Sequence, residues 1–161
     1  MWSATSGTRR FYDAPVEDAA HPRATGRCLC GAVTFEVRGP LRDVVFCHCE
    51  ECRRWGGHLG AFAATKPDDL DIVDTPALRW IESPASDRHA RRGFCVECGS
   101  SLFWAPGDGS RVSVSAGALD PPTGLQAAGH WYTRQAADYH QPPADGLPRD
   151  ADLDFDTLRW S

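Results

Sequence analysis

The residues best suited to chemistry are seven cysteines in three tight clusters: Cys28-Leu-Cys30, Cys47-His-Cys49-Glu-Glu-Cys52 and Cys95-Val-Glu-Cys98. Spacings of one or two residues bring thiolates to one tetrahedral ion, and neighbours that close are poorly placed to bridge each other. An odd count also leaves one thiol over in any disulfide scheme. Two clusters share a grammar, Cys28-x-Cys30-Gly31 and Cys95-x-x-Cys98-Gly99. A glycine after the second cysteine lets the backbone turn tightly, with amide N–H groups free to face the sulfurs. Each cluster therefore reads as a knuckle supplying two ligands. Cys28, Cys30, Cys95 and Cys98 together would close one structural zinc site that clamps an early strand to a late one. A ribbon-like alternative pairs Cys49 and Cys52 with Cys95 and Cys98, and it strands Cys28, Cys30 and Cys47.

The remaining set, Cys47, Cys49 and Cys52, offers three sulfurs and leaves a fourth position open, the arrangement of a catalytic zinc. Three thiolates blunt the Lewis acidity of that ion, so activation of water is a weaker expectation than capture of a substrate thiol as its thiolate. A fourth thiolate would call for positive neighbours, for which Arg53, Arg54, Arg91 and Arg92 are candidates, Arg92 foremost. His48, Glu50 or His58 could instead complete a second structural site. His48 lies between two ligands and should point away from the metal. His48, His58, Glu50 and Glu51 are the nearby groups able to move a proton.

Positioning these clusters falls to short strands. Residues 32–37 alternate apolar and polar side chains with period two, and residues 44–46, 61–63, 70–73, 78–81, 102–104 and 112–115 are further strand candidates separated by Gly, Pro and Asp. Residues 50–55 suggest one helical turn. Packed antiparallel sheets follow from this pattern. Residues 1–25 lack a sustained period and read as a mobile extension, residues 26–140 as the zinc-binding domain, and residues 141–161, broken by Pro142, Pro143, Gly146 and Pro148, as an irregular tail. Apolar spacing from Leu153 to Trp160 would support one short docked element.

Composition narrows the function classes. The 161 residues are 42% hydrophobic and 24% charged, ordinary for one soluble globular domain. A net charge of −5 and a pI near 5.6 give no electrostatic basis for nucleic-acid binding. Thr8-Arg9-Arg10-Phe11 imitates a twin-arginine signal, but no apolar run follows, and no stretch is long and apolar enough to span a membrane. Clustered thiols in that setting fit a reducing cytoplasm.

The ordered motifs Gly26-Arg27-Cys28-Leu29-Cys30-Gly31, Cys47-His48-Cys49-x-x-Cys52-Arg53, Arg92-Gly93-Phe94-Cys95-x-x-Cys98-Gly99 and Ala116-Gly117-x-Leu119-Asp120 resemble the family of glutathione-dependent formaldehyde-activating enzymes, which includes centromere protein V. The resemblance covers roughly residues 26–139. It implies a mainly β fold, a β-tent of two small antiparallel sheets clamped by a four-cysteine zinc, with few helical turns. It also implies two zincs per chain, a structural one on Cys28, Cys30, Cys95 and Cys98 and a catalytic one on Cys47, Cys49 and Cys52. The implied activity is that of a carbon–sulfur lyase joining or parting a thiol such as glutathione and an aldehyde such as formaldehyde. Ala118 and the Ala136-Ala137-Asp138-Tyr139 segment depart from the family pattern. The rival class is a non-catalytic zinc module that binds a protein partner, marked by a second metal with four protein ligands. A methionine sulfoxide reductase ranks last, since it needs a metal-free redox cysteine.

Overall fold

A computed structural model describes residues 21–161 apart from Ala85 and Asp87, and most of the expected mobile extension lies outside the described residues. The chain runs β1 (Ala24–Arg27), β2 (Thr34–Val37), β3 (Arg42–Cys47), α1 (Glu50–Gly56), β4 (Gly60–Thr65), β5 (Leu70–Ile72), β6 (Leu78–Glu82), β7 (Arg91–Cys95), β8 (Ser101–Ala105), β9 (Val112–Ser115) and β10 (Ala127–Trp131), with short 3-10 turns between. Two sheets result. The smaller has the order β1-β2-β5, and the larger β10-β3-β4-β9-β8-β7-β6. All pairs are antiparallel except β10 on β3. The protein is mainly β, with two sheets and a single α-helix among the described residues. Among the described residues, no helix is long and apolar enough to cross a membrane.

Alternation in β2 builds the contact between the sheets. Phe35 and Val37 are buried while Glu36 faces outward. Phe35 meets Phe103 of β8 edge-on, with ring centroids 5.1 Å apart. Val33, Leu102 and Val114 complete a core in which each side chain is fully buried. At a typical 1.5–3 kcal/mol per buried apolar side chain, this cluster is the largest favourable contribution from packing. The smaller sheet is thereby pressed onto the larger, and the loops between strands hold the cysteines.

Three strands lack the alternation by which the others are read: β1, β7 and β10. Each contains a glycine (Gly26, Gly93, Gly129) at a close approach rather than at a turn. A Cβ on Gly129, for example, would stand 2.6 Å from Leu153 Cδ1 and 2.8 Å from the Pro148 carbonyl oxygen. The segment after β10 is irregular in backbone but packed. Leu41 and Ser161 exchange two backbone hydrogen bonds of 2.9 Å, and Asp43 N–H donates to Arg159 O at 3.0 Å. The C-terminal residues thus continue along β3 where β10 leaves off. At the other end β1 begins at Ala24, two residues before the boundary expected at Gly26. Arg23 donates to Ser161 O at 2.9 Å and to Thr123 O at 3.0 Å, so the two ends of the described chain meet.

Candidate metal centres and active site

The hairpin ends put the cysteines into two groups. Cys28 and Cys30 lie in the β1–β2 turn, and Cys95 and Cys98 lie at the end of β7 and in the turn to β8. Gly31 and Gly99 occupy the left-handed region at φ +80° and +74°, as the glycine after each knuckle requires. All four sulfurs lie within 4.8 Å of one another. Cys28 Sγ is 3.5 Å from Cys30 Sγ, and Cys30 Sγ is 3.8 Å from Cys95 Sγ. A tetrahedron with Zn–S bonds of about 2.3 Å has edges of about 3.8 Å, so the donor set fits zinc. Val33 N–H donates to Cys28 Sγ at 3.3 Å. The Ser100 hydroxyl and backbone N–H hold the Cys98 thiol down at about 5, the anionic form a metal needs.

Cys47 ends β3, Cys49 caps α1 and Cys52 lies one turn into it. Their sulfurs also lie within 4.8 Å of one another. Cys52 N–H donates to Cys49 Sγ at 3.4 Å, which is the capping bond of α1. Hydrogen bonds from the Cys47 and Cys52 thiols pull Cys49 down to about 2, and the same contacts push Cys47 far up. Three thiols this close compete for charge, and a bound cation would let all three ionise. That is the behaviour of a donor set arranged for a metal. The grouping differs from the ribbon-like alternative, because Cys49 and Cys52 do not join Cys95 and Cys98.

Among the described residues, no His, Asp or Glu joins the three sulfurs within that distance. His48 turns away, as its place between two cysteines predicts. Its Nε2 is 2.9 Å from His130 Nδ1, and His130 Nε2 is 3.0 Å from Asp145 Oδ2. With Asp145 accepting from His130 Nε2–H, His130 Nδ1 is an acceptor and His48 Nε2–H donates to it. Asp145 is held below the usual carboxylate range by His130. His58 packs edge-on to His140 at 4.5 Å, and Glu50 accepts from Arg54 Nε at 2.8 Å.

The three cysteines open onto a cavity of about 390 Å³. Glu50, Glu51 and Arg92 line its cysteine end. Glu51 Oε2 accepts from Arg92 Nη2 and from the Ser83 hydroxyl, each at 2.9 Å. Arg92 is 3% exposed, donates a second bond to Ser83 Oγ at 3.0 Å, and faces the Trp55 ring at 5.7 Å. Arg92 alone of the four arginines singled out in the sequence reaches this cavity. Arg54 is spent on Glu50, Arg91 lies over Trp80, and Arg53 does not line it.

The sequence profile of the glutathione-dependent formaldehyde-activating enzymes matches residues 23–135, more than half of the chain. The chain belongs to this family. An uncharacterized lyase of Schizosaccharomyces pombe is 31% identical over 85 residues, which cover 52% of this chain and 58% of the yeast protein. The match thus spans little more than half the length of that curated relative. A crystal structure of a Rhodobacter sphaeroides protein superposes with a TM-score of 0.51 at 26% identity, covering 64% of this chain and 97% of the other.

Beyond the motifs that mark a formaldehyde-activating-enzyme family member, sequence reasoning passed over several residues at this site. Trp104, Trp131 and Phe155 line the cavity, and so do Arg42 and Arg111. Phe155 comes from the tail, beyond the family match. The one signal for it was the apolar spacing of residues 153–160. Arg42 and Arg111 had none: Arg111 is far from any cysteine in the sequence, and Arg42, five residues before Cys47, would face the other way in a regular strand.

Proposed function

We propose that this protein is a zinc-dependent carbon–sulfur lyase acting on the adduct of a thiol and an aldehyde, in the manner of an S-hydroxymethylglutathione synthase. One observation carries the reading: three sulfurs grouped on the wall of a cavity, with no fourth donor among the described residues. Zinc bound there would hold a substrate thiol in its thiolate form. A second zinc on Cys28, Cys30, Cys95 and Cys98 would be structural. Family membership and the lyase-named relative support the reaction class. Glutathione and formaldehyde are the substrates that the family's name supplies. The cysteine-rich design suits the cytoplasm, where thiols stay reduced.

In the synthetic direction the sulfur–carbon bond forms, the carbonyl π bond breaks, and the proton lost by the thiol ends on the new hydroxyl oxygen. Cleavage reverses each step. Of the four proton carriers expected, His48 and His58 are occupied elsewhere, and Glu50 is paired with Arg54. Glu51 is paired too, with Arg92, but that pair lies within the cavity, whereas Glu50 and Arg54 are exposed and Arg54 does not line it. Glu51 lines the cavity beside the cysteines, and Arg92 and Ser83 fix one of its oxygens while the other accepts no hydrogen bond among the described residues. We assign it the proton transfer.

The rival reading, a non-catalytic interaction module, requires four protein ligands on the second metal. The three-sulfur group gives it no support. The test is a thiol-plus-aldehyde assay, followed by adduct formation with and without a chelator. Chelator-sensitive acceleration over the uncatalysed addition is expected. Equal rates with and without protein would refute the enzyme.

A further inference from the structure

The end of the cavity remote from the cysteines carries charge that the proposed chemistry does not use. β3 supplies both ends, Cys47 at its close and Arg42 at its start. In a regular strand, residues five apart face opposite ways. Here Arg42 pairs with Ala64 and Val45 with Phe62, three steps on β3 against two on β4. This bulge returns Arg42 to the face of Val45 and Cys47, so that all three line the cavity.

Arg42 is 4% exposed. Its guanidinium donates Nη2 to Phe62 O at 2.9 Å and Nε to Asp43 O at 3.2 Å, both uncharged acceptors. The Asp43 carboxylate is taken by Arg159, at 2.7 and 2.9 Å, and by Gln126 N–H at 3.0 Å. Arg42 faces the Phe155 ring at 5.5 Å, and Arg111 faces Trp104 at 5.4 Å. Among the described residues no carboxylate lies within ion-pair distance of Arg42, Arg111 or the neighbouring Arg88. Burial, and then the charge of Arg111, pull Arg42 down to about 10 against a smaller opposing effect of Asp43, and burial followed by Arg88 lowers Arg111 against Asp108. A buried guanidinium with no anion in direct contact is costly, and two that repel each other across a cavity are costlier. Two guanidinium groups so placed favour a ligand that brings the counter-charge.

We propose that Arg42 and Arg111 form an anion-recognising subsite that binds a carboxylate carried by the thiol substrate several bonds from its sulfur. The thiol end of this proposal rests on the proposed function; the acid end rests on the arginines alone. About 3.3 Å of rise per residue puts the Arg42 and Cys47 Cα atoms on the order of 15 Å apart, less the bulge. An acidic thiol can therefore span from sulfur site to arginines, and the apolar walls between them, Phe62 and Trp131, place little demand on its middle. Glutathione is one member of this class. The subsite selects for charge at a distance from sulfur, whichever aldehyde is used.

The test compares thiols matched in length and differing in charge: 3-mercaptopropionate with 3-mercaptopropanol, 6-mercaptohexanoate with 6-mercaptohexanol, and glutathione with its diethyl ester. Dissociation constants can be read from tryptophan fluorescence, since Trp104 and Trp131 line the cavity. At least one acid should bind about tenfold or more tightly than its neutral partner, the worth of one charge-assisted contact. That ratio should fall towards one in Arg111→Gln and in Arg42→Gln, and recover in part in Arg111→Lys. Arg42 is buried and its variant can fail to fold; Arg111→Gln, at a partly exposed position, then decides. No preference for acid in any pair, or a preference that survives both Gln variants, overturns the subsite. A thiol-free acid, 6-(methylthio)hexanoate, separates the two readings. Its Arg111-dependent binding, with no thiol bound more tightly than its thioether, sustains the subsite and counts against the lyase. Thiols that bind without regard to charge do the reverse.

Discussion

Cys49 and Cys95 are chemically alike and differ in what surrounds them. Cys95 is fully buried within the core cluster, and its sulfur belongs to the group that joins the β1–β2 turn to the β7–β8 turn. Cys95→Ser should therefore compromise folding, and a stable, active variant in a thermal melt would refute the structural assignment. Cys49 lines the cavity and caps a short helix through a single 3.4 Å bond. Serine also caps helices, so Cys49→Ser should keep the fold while losing one metal ion and the activity. Elemental analysis beside circular dichroism checks both halves of that outcome. Glu51→Gln tests a different function. Gln keeps one oxygen for the Arg92 and Ser83 contacts but cannot take up a proton. Turnover should fall by about 10²- to 10⁴-fold with metal content unchanged. A variant with full turnover would remove Glu51 from the proton path.

At the scale of elements, the segment after β10 is attached to β3 by an ion pair as well as by backbone bonds. Burial works against the charge of Asp43, but Arg159, Gln126 N–H and Arg42 outweigh it and lower its pKa. A carboxylate whose folded pKa lies below its unfolded value of about 3.9 stabilises the fold above that value. The contribution is lost as pH falls through the lower, folded pKa. Acid should thus release the C-terminal segment below about pH 4, and Arg159→Ala should move that loss to higher pH while costing about 1–2 kcal/mol at neutral pH, a figure discounted because Arg159 is half exposed. Urea melts across pH 3–7 would show it; an unshifted profile would mean the latch is not electrostatic. Gly129→Ala acts in β10, on the same edge of β3. With Leu153 and the Pro148 carbonyl in the way, it should destabilise by about 1–3 kcal/mol, and an unchanged melting temperature would show that the tail gives way without cost. These elements also show what the sequence could reveal. β2, β4, β8 and β9 carry apolar residues in a legible pattern. β1, β7 and β10 carry glycine where neighbours crowd the backbone, and glycine in a sequence reads as a turn. The parallel pairing of β10 with β3 depends on a long connection, and no local signal encodes it. The cysteine groups were legible because both ligand spacing and turn glycines are local. The arginine end of the cavity was not, because a bulge rather than alternation sets the direction of Arg42.

For the molecule as a whole, the two cysteine groups differ in what their removal would undo. The four-cysteine group spans the turns of both sheets, which are otherwise joined by a core centred on Phe35 and Phe103 and by hydrogen bonds such as Leu29 N–H to Ser100 Oγ. A metal bound only by the folded state adds its binding free energy to stability, and structural zinc contributes several kcal/mol or more. The three-cysteine group draws all its ligands from the end of β3 and the first turn of α1, so its loss would loosen one helix of seven residues and leave the sheets joined. Removal of metal should accordingly proceed in two stages. A chelator at moderate concentration should withdraw about one equivalent of zinc, abolish thiol binding and change the melting temperature little. The second equivalent should leave only with denaturant or on prolonged exposure, and unfolding should accompany its loss. Zinc release followed by an indicator dye, with the melt recorded on the same samples, distinguishes this from simultaneous loss of both ions. Simultaneous loss would mean that the two sites are equally closed, and the distinction between a structural and a catalytic centre would fall with it.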